Sequence, residues 1–193
     1  MNHKPRKHSR TEIYPVLISF DDSVRVTFWI DPGAPDRDNF IKLPNGKIAT
    51  AQTSSDVAAI FKDARSVNIH WSEFVLIDVA LFLRRAHKMR KGQVASKGLC
   101  SSFLDAWNHL EDLARTLDLH VPLQSIKGNP ILNRVYQKIY QRLDLPLPNP
   151  KDAESTLEWS QREVKEFAPA MNRLWRAILH VAPEIIGRDS KSR

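Results

Sequence analysis

The chain has 193 residues, 42% of them apolar and 8% aromatic, which suffices for one sizeable core and excludes a disordered or fibrous polymer. Its single cysteine, Cys100, excludes an internal disulfide and favours a reducing compartment, and its longest apolar run, FVLIDVALFL at 74–83, is too short and too polar at Asp78 to span a bilayer. The net charge of +7 points to anionic partners, but it is unevenly placed: residues 1–10 carry four cations and no acid, 11–83 six cations against ten acids, and 84–98 six cations and no acid.

Residues 1–10 read as a flexible basic arm, and polar TEIYP follows it where a secretory signal would turn apolar. From 13 to 51 the pattern is β. IYPVLISF is apolar-rich, and VRVTFWI alternates, with Val24, Val26, Phe28 and Ile30 on one face and Arg25, Thr27 and Trp29 on the other. The link Asp21-Asp22-Ser23 suits a hairpin, DPGAPDRD is a loop, and Asn45-Gly46 inside FIKLPNGKIATA marks a second hairpin. Helical spacing begins at SSDVAAIFKDARS, with Ser54 or Ser55 as N-cap, and VNIHW reads as a strand or a linker.

Ser72 is placed to cap a central buried helix over 73–91 that ends at Gly92. The next helix is expected from Ser101 or Ser102, with Phe103, Trp107, Leu110, Ala114 and Leu117 as its apolar stripe. Asn129-Pro130 caps and opens another helix, continued by Ile131, Val135, Ile139 and Leu143. DLPLPNPKD is a proline-rich connector. An amphipathic segment follows over 153–181, kinked or split at Pro169. The expected fold is α+β: a basic arm (1–10), a β-rich part (11–70) with a small antiparallel sheet of about four strands, an all-helical part (71–187) of about five to six helices, and a disordered tail (188–193).

No strand–glycine-rich loop–helix unit is present, so no nucleotide-binding fingerprint and no cofactor is implied. The seven histidines show neither H-x-x-x-H nor H-E-x-x-H pairing, and a lone cysteine completes no zinc set, so no metal site is expected. Cys100 stands just before an expected helix N-terminus, which would lower a thiol pKa; as a buried small hydrophobe it would be inert. In ARTLDLH, Arg115 precedes His120 by five positions. This spacing resembles the Arg–His motif of the helical HEPN ribonucleases. The resemblance implies His120 for proton transfer at a ribose and Arg115 for the scissile phosphate.

Two charged regions remain. RRAHKMRKGQVASKG at 84–98 gathers Arg84, Arg85, Lys88, Arg90, Lys91 and Lys97. It reads either as the dipole-complemented end of a helix with a solvated loop or as an anion or nucleic-acid contact, although it has no aromatic residue for stacking on bases. Asp21, Asp22, Asp31, Asp36 and Asp38 crowd the loops of the β part, and Trp29 is expected on the polar face beside them, as an anchor for a basic partner. The expectation is a non-enzymatic, bacterial-type cytoplasmic protein that works by stoichiometric protein–protein association. Its most concrete form is an immunity- or antitoxin-like inhibitor that occludes a basic toxin such as a nuclease. Nucleic-acid binding through the arm and residues 84–97 is the alternative, a HEPN-like ribonuclease a lesser one, and no membrane partner is expected.

Overall fold

The computed structural model describes residues 12–20, 23–31, 39–62, 68–147, 154 and 156–186. β1 (Glu12–Phe20) and β2 (Ser23–Asp31) pair antiparallel as the alternation predicts, Ile13 opposite Ile30 and Phe20 opposite Ser23. Successive side chains leave a strand on opposite faces, so one register fixes two surfaces. Ile13 and Phe28 join Ala49 and Ala51 in a small outer cluster, while Val16 and Ile18 turn into the main core. β3 (Asn39–Phe40) and β4 (Thr50–Ala51) add to β2, and the chain between them turns at Asn45-Gly46. Gly46 takes φ +81°, open to glycine at little cost, and Asn45 Oδ1 accepts from the Lys47 amide at 3.0 Å.

α1 (Ser54–Ile60) is capped by Thr53, one position before the expected serines, because Thr53 and Asp56 complete a reciprocal capping box. The amides of Gln52 and Thr53, donating to the Asp56 carboxylate, hold its pKa below the usual range.

The sheet is mixed: β5 (Asn68–Ile69) pairs parallel with the start of β1 and β6 (Val75–Asp78) parallel with its second half. Within VNIHW, Asn68–Ile69 form a strand. The helix expected over 73–91 divides into β6 and a shorter α2 (Val79–His87). A short apolar run cannot by itself distinguish a buried helix from a strand. Here the period is two: Ile77 is buried while Phe74 and Leu76 face outward. Asp78 then starts the helix by accepting from the Leu81 amide at 2.7 Å. Gly92 is not a helix cap; it takes φ +75° in the turn beyond α2.

α3 (Lys97–Thr116) begins about one turn earlier than expected, because Ser96 rather than Ser101 or Ser102 caps it, accepting from the Leu99 amide at 3.2 Å. Its predicted stripe holds: Phe103, Trp107, Leu110 and Ala114 are buried. α4 (His120–Lys127) follows, then α5 (Pro130–Arg142), where Asn129 Oδ1 accepts from the amides of Ile131 and Leu132 as a cap before a proline should. α6 (Gln161–Val181) runs through Pro169 without a break. Pro169 is exposed, so solvent replaces the donor that the ring removes. Among the described residues no helix is long and apolar enough to cross a membrane.

The fold is α+β with a continuous main core. Val16, Ile18, Phe40 and Ile48 from the sheet side join Phe82, Phe103, Phe167 and Trp175 from the helices. The rings of Phe82, Phe103, Trp107 and Phe167 meet at centroid distances of 5.3–6.0 Å. Within this interior lies an ion pair. Lys138 Nζ donates to Glu163 Oε2 at 2.9 Å and to the Glu158 carbonyl at 2.7 Å, with Lys138 3% and Glu163 1% exposed. Glu163 also accepts from the Ser160 amide, closing the capping box of α6. The chain just before α6 is held against residues 92–93: the Gly92 amide donates to the Trp159 carbonyl at 2.9 Å and the Trp159 amide to the Gln93 carbonyl at 3.0 Å.

Breaking a buried pair leaves an uncompensated charge, whereas removing both charges does not. Lys138→Met is expected to lower the free energy of unfolding by about 3–5 kcal/mol in a denaturant titration. Adding Glu163→Gln to it should restore a large part of the loss.

Candidate functional site

Two cavities flank the first turns of α3, and Gly98 lines both. One, of about 410 Å³, lies between β6 (Leu76, Ile77, Asp78) and α3 (Ser101, Ser102, Asp105). Among the described residues β6 pairs only with β1, and no residue of β1 lines this cavity. Among the described residues the cavity therefore borders an edge strand, whose outer backbone donors and acceptors have no sheet partner there. Beside it the outer face of the sheet exposes large apolar side chains: Phe74 at 57%, Leu76 at 60% and Trp71 at 52%. A cluster of this kind near an open edge marks an interaction surface more often than a solvated one. The groove is acidic. Asp78 and Asp105 both line it, and burial pushes the Asp105 carboxyl above the ordinary aspartate range, partly offset by His109.

The second cavity, of about 510 Å³, opens on the other side of Gly98, between the end of α2 (Arg85, Lys88), the loop at Gln93 and Ser96, and Trp159. Of the basic segment, Arg85 and Lys88 line this cavity. Arg84, Arg85, Lys88, Arg90 and Lys91 are exposed, and among the described residues none has a carboxylate at salt-bridge distance. Lys97 differs: it pairs with Asp144, whose carboxyl it holds below the usual range.

Of the expected acidic interface, the structure describes Trp29 and the backbone of Asp31. Asp21, Asp22, Asp36 and Asp38 lie outside the described residues, and Asp31 closes β2 opposite Glu12. Trp29 is not an outward anchor. The face predicted to be polar is the one that meets the helices, so Trp29 packs half-buried on the main core and its Nε1 donates to Asp112 Oδ2 of α3 at 3.1 Å. Around it runs a row of rings that sequence periodicity does not reveal: His70 stacks on Tyr14 at 4.6 Å, Tyr14 meets Trp29 at 5.6 Å, and Trp29 meets His109 at 5.9 Å. Nε2 of His70 contacts the Glu12 carboxylate, which also accepts from Asn68. Tyr14 and Trp29 face each other across the β1–β2 pair, His70 follows β5 beside β1, and His109 arrives with α3, so the row joins elements distant in sequence.

Arg115 and His120 do not share a helix, as the ribonuclease resemblance requires. Asp118, at φ +58°, ends the helical run between them, leaving Arg115 in the last turn of α3 and His120 as the exposed first residue of α4. Arg115 is moreover engaged by Asp112 at 2.7 Å. Cys100, expected just before a helix, lies inside α3 at 1% exposure, and burial pushes its thiol up instead of activating it. Among the described residues no group of three or more potential ligands is placed to hold a metal ion.

No protein-family model, curated protein or solved structure matches this chain. Its function must be read from the two cavities themselves.

A thiol that is buried and held protonated reacts slowly with disulfide reagents. Ellman's reagent is expected to leave Cys100 untouched in the folded protein at pH 8 and to titrate it in full once guanidinium unfolds the chain.

Proposed function

We propose that the protein is a non-enzymatic binding protein acting by stoichiometric association with another protein, from which it takes an extended segment as an added strand on β6. The observation that carries this reading is the open edge of β6 beside an acid-lined groove. Strand addition supplies hydrogen-bond partners to the unpaired edge and sends alternate side chains of the guest to opposite faces. One set would enter the groove between β6 and α3; the other would cover Phe74 and Leu76, which otherwise stay in water.

Charge selects the guest. Asp78 and Asp105 wall the groove, and the sheet-bearing residues 11–83 carry ten acids against six cations. A segment that alternates apolar with basic residues complements both features, since opposite potentials steer encounter and fix register. The partner in this reading is a basic protein. An immunity- or antitoxin-like inhibitor that occludes a basic nuclease in a bacterial cytoplasm is its most concrete form, supported by that complementarity and by the lone reduced cysteine. In this reading the interface lies at the sheet edge, and Trp29, packed on the main core, takes no part in it.

The test uses a displayed library of ten-residue peptides panned against the full chain. Enriched peptides are expected to alternate apolar residues with Lys or Arg, and Asp105→Lys should weaken them about tenfold, the size of one lost charge pair. Because the Asp105 carboxyl titrates above the ordinary range, their affinity should fall on acidification before an unperturbed aspartate would protonate. No enrichment, or peptides indifferent to both Asp105→Lys and Leu76→Lys, would contradict the reading.

A further inference from the structure

Among the described residues, the walls of the second cavity are rich in donors and contain no acid. Arg85 and Lys88 stand three positions apart on one face of α2 and both line the cavity, without a carboxylate partner among the described residues. Two cations brought together and left unneutralised repel each other, and an anion between them relieves that repulsion.

Trp159 supplies an independent observation. It lines the cavity and is 2% exposed, yet its indole N–H donates to no acceptor among the described residues. The polar side-chain atoms that are both sealed and unpartnered are Gln137 Oε1 and Trp175 Nε1; Trp159 Nε1 is not among them. The Trp159 ring borders the cavity, from which an acceptor would reach this N–H. A buried indole usually finds an acceptor, and among the described residues none is provided.

The third contribution is backbone. Of the amides opening α3, that of Leu99 is held by Ser96 Oγ and that of Cys100 by the Ser96 carbonyl, while those of Lys97 and Gly98 find no acceptor among the described residues. They sit at the positive end of a 20-residue helix. A Cβ built on Gly98 would meet nothing within 4 Å, so packing does not demand glycine there; its absence of side chain leaves the backbone open to close approach from the cavity. Lys97, tied to Asp144, does not fill the space.

We propose that this cavity binds the phosphate group of a phosphorylated small molecule. Arg85 and Lys88 supply charge-assisted hydrogen bonds, the Gly98 amide and the Trp159 indole supply fixed neutral donors, and Gln93 and Ser96 complete a polar wall. A volume of about 510 Å³ exceeds what a bare phosphate fills, and Met89 and Leu99 line the remainder with apolar surface. The ligand is therefore a phosphate monoester with a compact organic part. A nucleic-acid strand fits less well, because Trp159 is buried and offers an edge N–H, not a ring face on which bases stack.

Calorimetric titration of the full chain with inorganic phosphate, a sugar phosphate, a nucleoside monophosphate and the dephosphorylated sugar and nucleoside tests this. The phosphorylated organic compounds are expected to bind, inorganic phosphate more weakly, and the dephosphorylated ones not at all. Arg85→Ala or Lys88→Ala should weaken binding roughly ten- to a hundredfold, as loss of a charge-assisted hydrogen bond does. Gly98→Leu should abolish it while leaving the melting midpoint unchanged or raised, since leucine is the better helix former and its side chain enters open space. Failure of every phosphate to bind would overturn the proposal. So would binding that survives Gly98→Leu, or binding of single-stranded RNA alone with a steep salt dependence, either of which places the contact on the outer cations.

Discussion

The arrangement of this molecule hangs on one buried ion pair. Lys138 and Glu163 come from α5 and α6, and neither reaches bulk water. A carboxylate and an ammonium taken out of solvent cost several kcal/mol each unless every remaining lone pair and proton finds a partner. Here much of that demand is met: Lys138 also donates to the Glu158 carbonyl, Glu163 also accepts from the Ser160 amide, and Arg134 stands 3.8 Å from the other carboxylate oxygen. The pair fastens the two helices together and at the same time fixes the three-residue stretch ahead of α6.

That stretch carries the consequences. Its backbone clasps residues 92–93, which sets the course of the loop leading from α2 to Ser96. The start of α3 is placed by that loop and by Ser96, and it separates the two cavities. Net charge is thus resolved locally. An acid-lined groove opens between β6 and α3 and a donor-lined cavity beside the end of α2, and Gly98 lines both. A uniform basic surface would bind polyanions indiscriminately; this one offers opposite signs at adjacent, shaped sites.

Sequence patterning revealed those parts of the fold that depend on local chemistry. The alternation of VRVTFWI, the Asn45-Gly46 turn, the Asn129-Pro130 cap and the stripe along α3 each follow from a few adjacent side chains, and each is present. What escaped depends on partners distant in sequence. FVLID reads as a helix until β1 is seen to pair with it. Trp29 looks exposed until α3 arrives with Asp112 eighty-three positions later. The cations of 84–97 were legible as a cluster, but the cavity lined by Arg85 and Lys88 was not, because Trp159 and the helix start that complete it come from elsewhere in the chain. Glu163 and Lys138 gave no signal at all. Each resembles an ordinary surface charge of an amphipathic helix, and only the packing of α5 on α6 buries them.

The central claim is that a buried framework presents the Trp159 indole to an anion, and the tryptophan side chains report on it directly. The chain has five tryptophans, so a nitrogen-15 spectrum gives five indole signals. Those of Trp29 and Trp107 are bonded to Asp112 and Glu111, and that of Trp175 is sealed in the core. On titration with a sugar phosphate the account predicts that the Trp159 indole signal moves downfield together with the Gly98 amide, while these three stay fixed. A titration in which the Trp159 indole does not move, or in which only exposed Trp71 responds, would contradict it.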